Sequence, residues 1–120
     1  MVRRIRRRLC FHLSGRLADH SAAMSPLTIF SDPLLGERAA ALLRDGTAGH
    51  TLLTPAKPAS SVLAQAEPDP AFARAEVAFG QPHLESIHAA ENLKWLQVSS
   101  AGFTRYDTPE FRRFATGRGI

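Results

Sequence analysis

The chain lacks almost all cysteine, since Cys10 is the only one among its 120 residues. No internal disulfide can form, which fits a reducing compartment. No apolar run approaches the roughly 20 residues that span a bilayer. His12 and Arg16 interrupt the stretch where a secretory signal would carry its apolar segment. These absences favour a cytoplasmic chain with no membrane partner.

Acidic residues are nearly missing from residues 1–23, which hold six arginines and only Asp19, a net charge of +5. Residues 24–120 hold nine Lys or Arg and ten Asp or Glu, a net charge of −1. The high pI of about 10.2 therefore belongs to this Arg-rich leader. The rest of the chain has no basic face of the kind that binds nucleic acid, and we expect no nucleic-acid partner.

Three interpretations of the leader stay open. It could be a transit peptide, which is Arg-rich and poor in acids, or an electrostatic arm that contacts phosphate or anionic lipid. It could also be spurious, with the natural start at Met24, and we favour this because Met24 lies just before the first predicted strand. In each case we expect residues 1–23 to be disordered and outside the core.

The remaining residues alternate short apolar runs with helical patterns. Asp32 is predicted to cap the first helix, with Pro33 at its first position, and Thr108 to cap the last, with Pro109 at its first position. The predicted strands are 27–31, 50–54, 76–80 and 93–98; a short helix is predicted at 83–90 and helical turns at 61–66 and 71–75.

This alternation predicts an α/β fold, specifically a flavodoxin-like open parallel sheet with helices on both faces. The strands are short and apolar, as expected of strands covered on both faces, and Trp95 is predicted to lie in the core. Gly119 and Ile120 follow the end of a helix and resemble the opening of a strand. We therefore expect a domain truncated at the start of its fifth strand.

Few residues suggest catalysis or metal binding. His83 and His88 are five residues apart, a poor helical spacing for sharing a metal ion, and no cysteine lies nearby. Ser99 and Ser100 have no histidine at a telling position, so a serine nucleophile is not expected. We predict no catalytic residue and no metal site in this chain.

The most informative segment is the predicted strand 93–98 and the small residues Ser99, Ser100, Ala101 and Gly102 that follow it. The carboxyl end of a strand in an open parallel sheet is where ligands bind. Small residues there allow backbone N–H groups to approach an anion. This segment is therefore a candidate anion-binding loop.

Three motifs carry a resemblance to a known family. They are EVAFGQP at 76–82, NLKWLQVSSAGFTRYD at 92–107 and the closing helix that runs into RGI. Residues 24–120, which are 97 of the 120, resemble the start of a D-isomer-specific 2-hydroxyacid dehydrogenase. One departure is the interval between Gly102 and Asp107, which is shorter in many members.

The resemblance implies that residues 24–120 form an incomplete N-terminal substrate-binding domain. Ser100, Ala101 and Gly102 would hold the carboxylate of a small 2-hydroxy or 2-keto acid, with Gly80 and Gln81 beside the same cleft. In the family a Rossmann domain follows, carrying the NAD or NADP site and the catalytic arginine, glutamate and histidine. None of these motifs occurs here, so the resemblance implies an inactive fragment of an oxidoreductase whose intact parent is a homodimer.

A second interpretation is a stand-alone flavodoxin-like binding or regulatory module with a basic N-terminal arm. A receiver domain fits poorly, because it needs clustered acids at the end of the first strand and only Asp32 lies there. The reading frame downstream of Ile120 discriminates between the two. Continuation into a G-x-G-x-x-G motif favours the enzyme.

Overall fold

The computed structural model describes residues 24–61 and 64–120. The expectations for the leader, and part of the helical turn predicted at 61–66, lie outside the described residues. The described elements are β1 (Thr28–Ser31), α1 (Glu37–Gly46), β2 (Thr51–Leu53), a 3₁₀ helix (Pro70–Arg74), β3 (Val77–Gly80), α2 (Leu84–Ala89), β4 (Trp95–Val98) and α3 (Pro109–Arg118).

The four strands form one all-parallel sheet in the order β2-β1-β3-β4. The predicted α/β class and open parallel sheet are confirmed, and the order is consistent with a flavodoxin-like arrangement. In register, Phe30 of β1 lies beside Leu53 of β2 and Ala78 of β3, and Ala78 lies beside Leu96 of β4. These four residues form one row across the sheet and share a face.

This face, which we call the covered face, carries the core. Phe30 and Ala78 pack with buried residues from the 3₁₀ helix, α2 and the loop before α3, namely Phe72, Ile87 and Tyr106. The rings of Phe30 and Phe72 meet edge to face with centroids 5.0 Å apart. Partly buried side chains of α3 complete this layer, and burial of these side chains supplies the main stabilisation of the fold.

The opposite face, which we call the open face, carries Ile29, Leu52, Val77 and Trp95, the neighbouring row in register. Helix α1 lies on this side, where its Leu43 and Leu52 of β2 line a common cavity. No residue of α1 is buried. Trp95 is 58% exposed, so its predicted place in the core is wrong: it lies on the last strand of the sheet, on the side away from the packed layer.

The two predicted helix caps have different outcomes. Thr108 caps α3 as predicted, with its Oγ1 accepting the Phe111 N–H at 3.1 Å and Pro109 at the first position. The cap predicted at Asp32 is wrong, because α1 begins at Glu37 after Gly36. The Asp32 carboxylate is instead held across the sheet, as described below.

Helix α3 ends at Gly119, which has a left-handed φ of 72° that favours glycine. Ile120 donates its N–H to the Ala115 carbonyl at 3.0 Å, and its partly buried side chain packs against the core. That a fifth strand begins here stays a prediction.

Candidate functional site

The candidate site lies at the carboxyl ends of β1, β3 and β4. Strand β1 connects through α1 to β2 on one side, whereas β3 connects through α2 to β4 on the other. The chain therefore leaves the neighbouring strands β1 and β3 in opposite directions. In open α/β sheets the crevice at such a switch point is where ligands bind.

Asp32 and Gly80 form the floor of this crevice. Asp32 follows β1 directly, is 4% exposed, and accepts the Gln81 N–H on Oδ1 at 2.9 Å. Its own N–H donates to the Phe79 carbonyl at 3.1 Å. Gly80 has a φ of 141°, and a Cβ built there would overlap the Asp32 carboxylate. Glycine is required at this position because the carboxylate occupies the place of a side chain.

Gln81 connects the end of β3 to the loop after β4. It is 2% exposed, and its side-chain Nε2 donates to Ser100 Oγ. The same hydroxyl oxygen accepts the Gly102 N–H at 3.1 Å. The structure thus brings together Gln81, Ser100 and Gly102, three of the five residues predicted from the resemblance, and Gly80 precedes Gln81.

The loop 99–102 has its backbone donors divided between the protein and solvent. The Ser99 N–H donates to the Gly80 carbonyl at 3.1 Å, and the Gly102 N–H is taken by Ser100 Oγ. Within the described part of the chain, the N–H groups of Ser100 and Ala101 have no hydrogen-bond acceptor. Two adjacent N–H groups are therefore left to bind an external acceptor, which is the arrangement that suits an anion.

Tyr106 and Arg105 close the crevice from the segment before α3. Tyr106 is buried and its hydroxyl donates to the Pro82 carbonyl at 2.8 Å. The Arg105 guanidinium lies over the Tyr106 ring, 6.0 Å from its centroid, a contact of the cation–π kind. A positive charge thus lies beside the residues that follow β3.

Burial controls the ionisation of this cluster. It raises the pKa of Asp32 above its ordinary value, and the Gln81 N–H opposes this rise. Burial also raises the pKa of Tyr106 to about 12, with the Arg105 charge opposing the rise and the Asp32 charge adding to it. Tyr106 is therefore a neutral hydrogen-bond donor at neutral pH.

Three buried side-chain atoms in the described part of the chain have no hydrogen-bond partner: Asp32 Oδ2, Gln81 Oε1 and Arg105 Nη1. All three belong to this cluster. A buried polar atom without a partner costs on the order of 1–3 kcal/mol.

The sequence predicts site residues in the loop after β4 and at the end of β3, but it does not indicate two further members of this cluster. Asp32 was interpreted as a helix cap, although an acid directly after a central strand is itself a signal for this edge of the sheet. Tyr106 lies in a polar loop, where no periodic pattern indicates burial. Ala101 and Gly102 are exposed, and Ser100 is half-buried.

The described residues also bear on whether this chain could hold a metal ion or a dinucleotide. In the described part of the chain, no three His, Cys, Asp or Glu side chains are grouped so that they could hold a metal ion. No described helix is long and apolar enough to cross a bilayer. The turns after β1 and β3, Asp32–Gly36 and Gly80–His83, lack the glycine-rich pattern that holds a dinucleotide pyrophosphate.

Comparisons of the chain with protein-family models, with curated proteins and with solved structures find no match.

Proposed function

We propose that residues 24–120 are the substrate-binding part of an NAD(P)-dependent D-2-hydroxyacid dehydrogenase. The observation that carries the proposal is the pair of N–H groups at Ser100 and Ala101, directly after β4 and without an acceptor in the described part of the chain. They lie next to the buried amide of Gln81. The motifs around 76–82 and 92–107, and a strand order compatible with a flavodoxin-like domain, support the same function.

The role of this part is to bind and orient the acid. The Ser100 and Ala101 N–H groups would donate to the carboxylate of a 2-hydroxy or 2-keto acid, and Arg105 would add a positive charge near the same crevice. Gln81 holds Ser100 Oγ and thereby fixes the loop. Because the chain has no G-x-G-x-x-G motif, hydride transfer and its cofactor belong to residues of the parent enzyme outside this chain.

The experiment is a titration of the isotope-labelled full chain with D-lactate, followed by amide NMR. Hydroxyacetone, which has the hydroxyl but no carboxylate, is the matched ligand control. We expect D-lactate to shift the Ser100 and Ala101 amide resonances saturably, and hydroxyacetone to leave them in place. Equal shifts with both ligands, or none with D-lactate, contradict carboxylate binding at this loop.

A second titration, with NADH and followed by fluorescence, tests whether this chain binds the acid but not the cofactor. We expect no saturable binding at micromolar concentration and no turnover of 2-keto acids above buffer, because the dinucleotide motif is missing. Saturable NADH binding would contradict this assignment.

A further inference from the structure

A second cavity lies at the carboxyl end of β1 on the α1 side of the sheet, and it shares Asp32 with the crevice described above. It has a volume of about 550 Å³ and is enclosed by α1, the turn before it and the segment after β2. Its lining is mostly apolar and includes Leu34, Leu35, Leu43, Leu52, Pro55 and Pro58. Its size and apolar lining are those of a small-molecule site, which commonly spans roughly 300–1,000 Å³.

Of the two charged side chains on the lining, Asp32 and Arg44, the arginine gives the cavity a chemical preference. Arg44 lies in the last turn of α1 and contributes to the wall. It forms no ion pair with any residue in the described part of the chain. Arg44 shares this lining with Leu34 and Leu35 of the segment before α1. The Thr54 hydroxyl is a further polar group on the lining.

The acid on the lining does not cancel this charge. Asp32 follows β1 at the end of the cavity, but its carboxylate accepts the Gln81 N–H at 2.9 Å and packs on Gly80. It is therefore directed toward β3 and the covered face. The cation that remains for a ligand is Arg44, while Leu34, 53% exposed, leaves apolar surface available to a ligand.

We propose that this cavity binds a small organic acid with an aromatic or branched apolar body. The carboxylate pairs with Arg44, and the body packs against the leucines and prolines of the lining. Transfer of such a body from water supplies most of the affinity, and the charge pair selects acids over neutral analogues. This site does not depend on the proposed function, since its cation is Arg44 and the loop 99–102 does not line the cavity.

The test uses the full chain and 4-phenylbutyrate as the probe, followed by isothermal titration calorimetry. Two analogues separate the contributions: 4-phenylbutanamide keeps the body and removes the charge, and butyrate keeps the charge and removes the ring. We expect saturable binding of the acid, about fivefold weaker binding of the amide, and binding of butyrate weaker by more than about tenfold.

Two arginine variants of the same helix locate the charge. Arg44→Ala should weaken 4-phenylbutyrate about fivefold and leave the amide unchanged. Arg38→Ala is the matched control, because Arg38 is exposed on α1 and does not line the cavity; it should change neither. Excess D-lactate should not displace the probe.

Four results overturn the proposal. One is no saturable binding of 4-phenylbutyrate, as expected if another part of the chain fills the cavity. The second is equal affinity for acid and amide, and the third is an equal loss in Arg44→Ala and Arg38→Ala. The fourth is displacement by D-lactate, which would place the probe at the loop 99–102. A failure of D-lactate to bind anywhere leaves this proposal intact and contradicts the proposed function alone.

Discussion

The covered face and the open face of the sheet differ in how completely they are buried. On the covered face Phe30 is 2% exposed and Ala78 is 1% exposed, under the 3₁₀ helix, α2 and α3. On the open face Trp95 is 58% exposed, and α1 contributes no buried residue. Both faces derive from strands of similar apolar character, so the difference arises from what packs on each strand.

This difference means that one face of the sheet stabilises the fold, whereas the other leaves surface accessible to a ligand. Apolar burial supplies roughly 25 cal/mol per Å², so the covered face carries most of the folding free energy. The open face leaves apolar surface and a cavity accessible beside α1. The candidate carboxylate site lies at the edge of the covered layer, whereas the proposed organic-acid site lies on the open side. Substitutions on the two faces should therefore have effects of very different size.

The largest effect is expected at Gly80, at the carboxyl end of the covered face. Gly80→Ala should cost about 3 kcal/mol or more and unfold much of the protein, because a Cβ overlaps the Asp32 carboxylate and the φ of 141° is strained for alanine. Gly46→Ala is the control, since it lies at the end of α1 with no heavy atom within 4 Å of a built Cβ. It should be neutral or slightly stabilising.

Chemical denaturation with circular dichroism measures both glycine variants. A Gly80→Ala protein as stable as the parent would show that the Asp32 carboxylate is not packed on Gly80. Asp32 and Gly80 would then not form the floor of the crevice, and the difference in stability between the two faces would be smaller than proposed.

The next effect compares one apolar truncation on each side. Ile87→Ala in α2 should cost about 2–4 kcal/mol, because Ile87 is 0% exposed and its loss leaves a cavity in the core. Leu42→Ala in α1 should change stability by less than about 0.5 kcal/mol, because Leu42 is 63% exposed. Urea unfolding of the two variants side by side is the measurement. Similar losses in both would mean that α1 is packed as firmly as α2.

The sequence was sufficient to predict the strands and the parallel sheet. Apolar runs bounded by Gly and Pro are local signals, and they located all four strands to within one or two residues. The Thr108-Pro109 cap was predicted for the same reason, since the partners of a capping side chain lie within three residues. The loop 99–102 was identified because it follows a strand directly.

The errors concern contacts between residues far apart in the chain. Asp32 and Gln81 are 49 residues apart, and no local pattern reveals that the carboxylate accepts a backbone N–H across the sheet. A helix cap was the simplest local use for Asp32. Trp95 was predicted to be buried because an apolar strand does not show whether both of its faces are covered. Strand register determines which residues meet across the sheet, and the helices that pack on each face determine which side chains are buried. Both depend on tertiary packing.

The smallest effect concerns pH and uses Asp32 and Glu76, which titrate with opposite signs. Burial raises the folded-state pKa of Asp32, so its ionised form opposes folding at neutral pH, and this cost disappears as the pH falls. Hydrogen bonds from Lys94 and Thr28 lower the folded-state pKa of Glu76. The contribution of Glu76 to stability is therefore present at neutral pH and is lost on acidification through that pKa.

Asp32→Asn, which keeps an oxygen for the Gln81 N–H, should be at least as stable as the parent at about pH 7. Glu76→Gln should be slightly less stable there.

Urea unfolding of both variants and the parent at several values from about pH 7 to about pH 4 gives the comparison. The Asp32→Asn difference should shrink over this range because the raised pKa of Asp32 leads to protonation of the parent carboxyl. The Glu76→Gln difference should persist to the acid end of the range and shrink only below it, because the pKa of Glu76 is lowered. A stability difference between Asp32→Asn and the parent that is constant with pH would show that ionisation of Asp32 carries no cost in the folded protein. Burial of the Asp32 carboxylate at the end of the covered face would then carry no electrostatic cost.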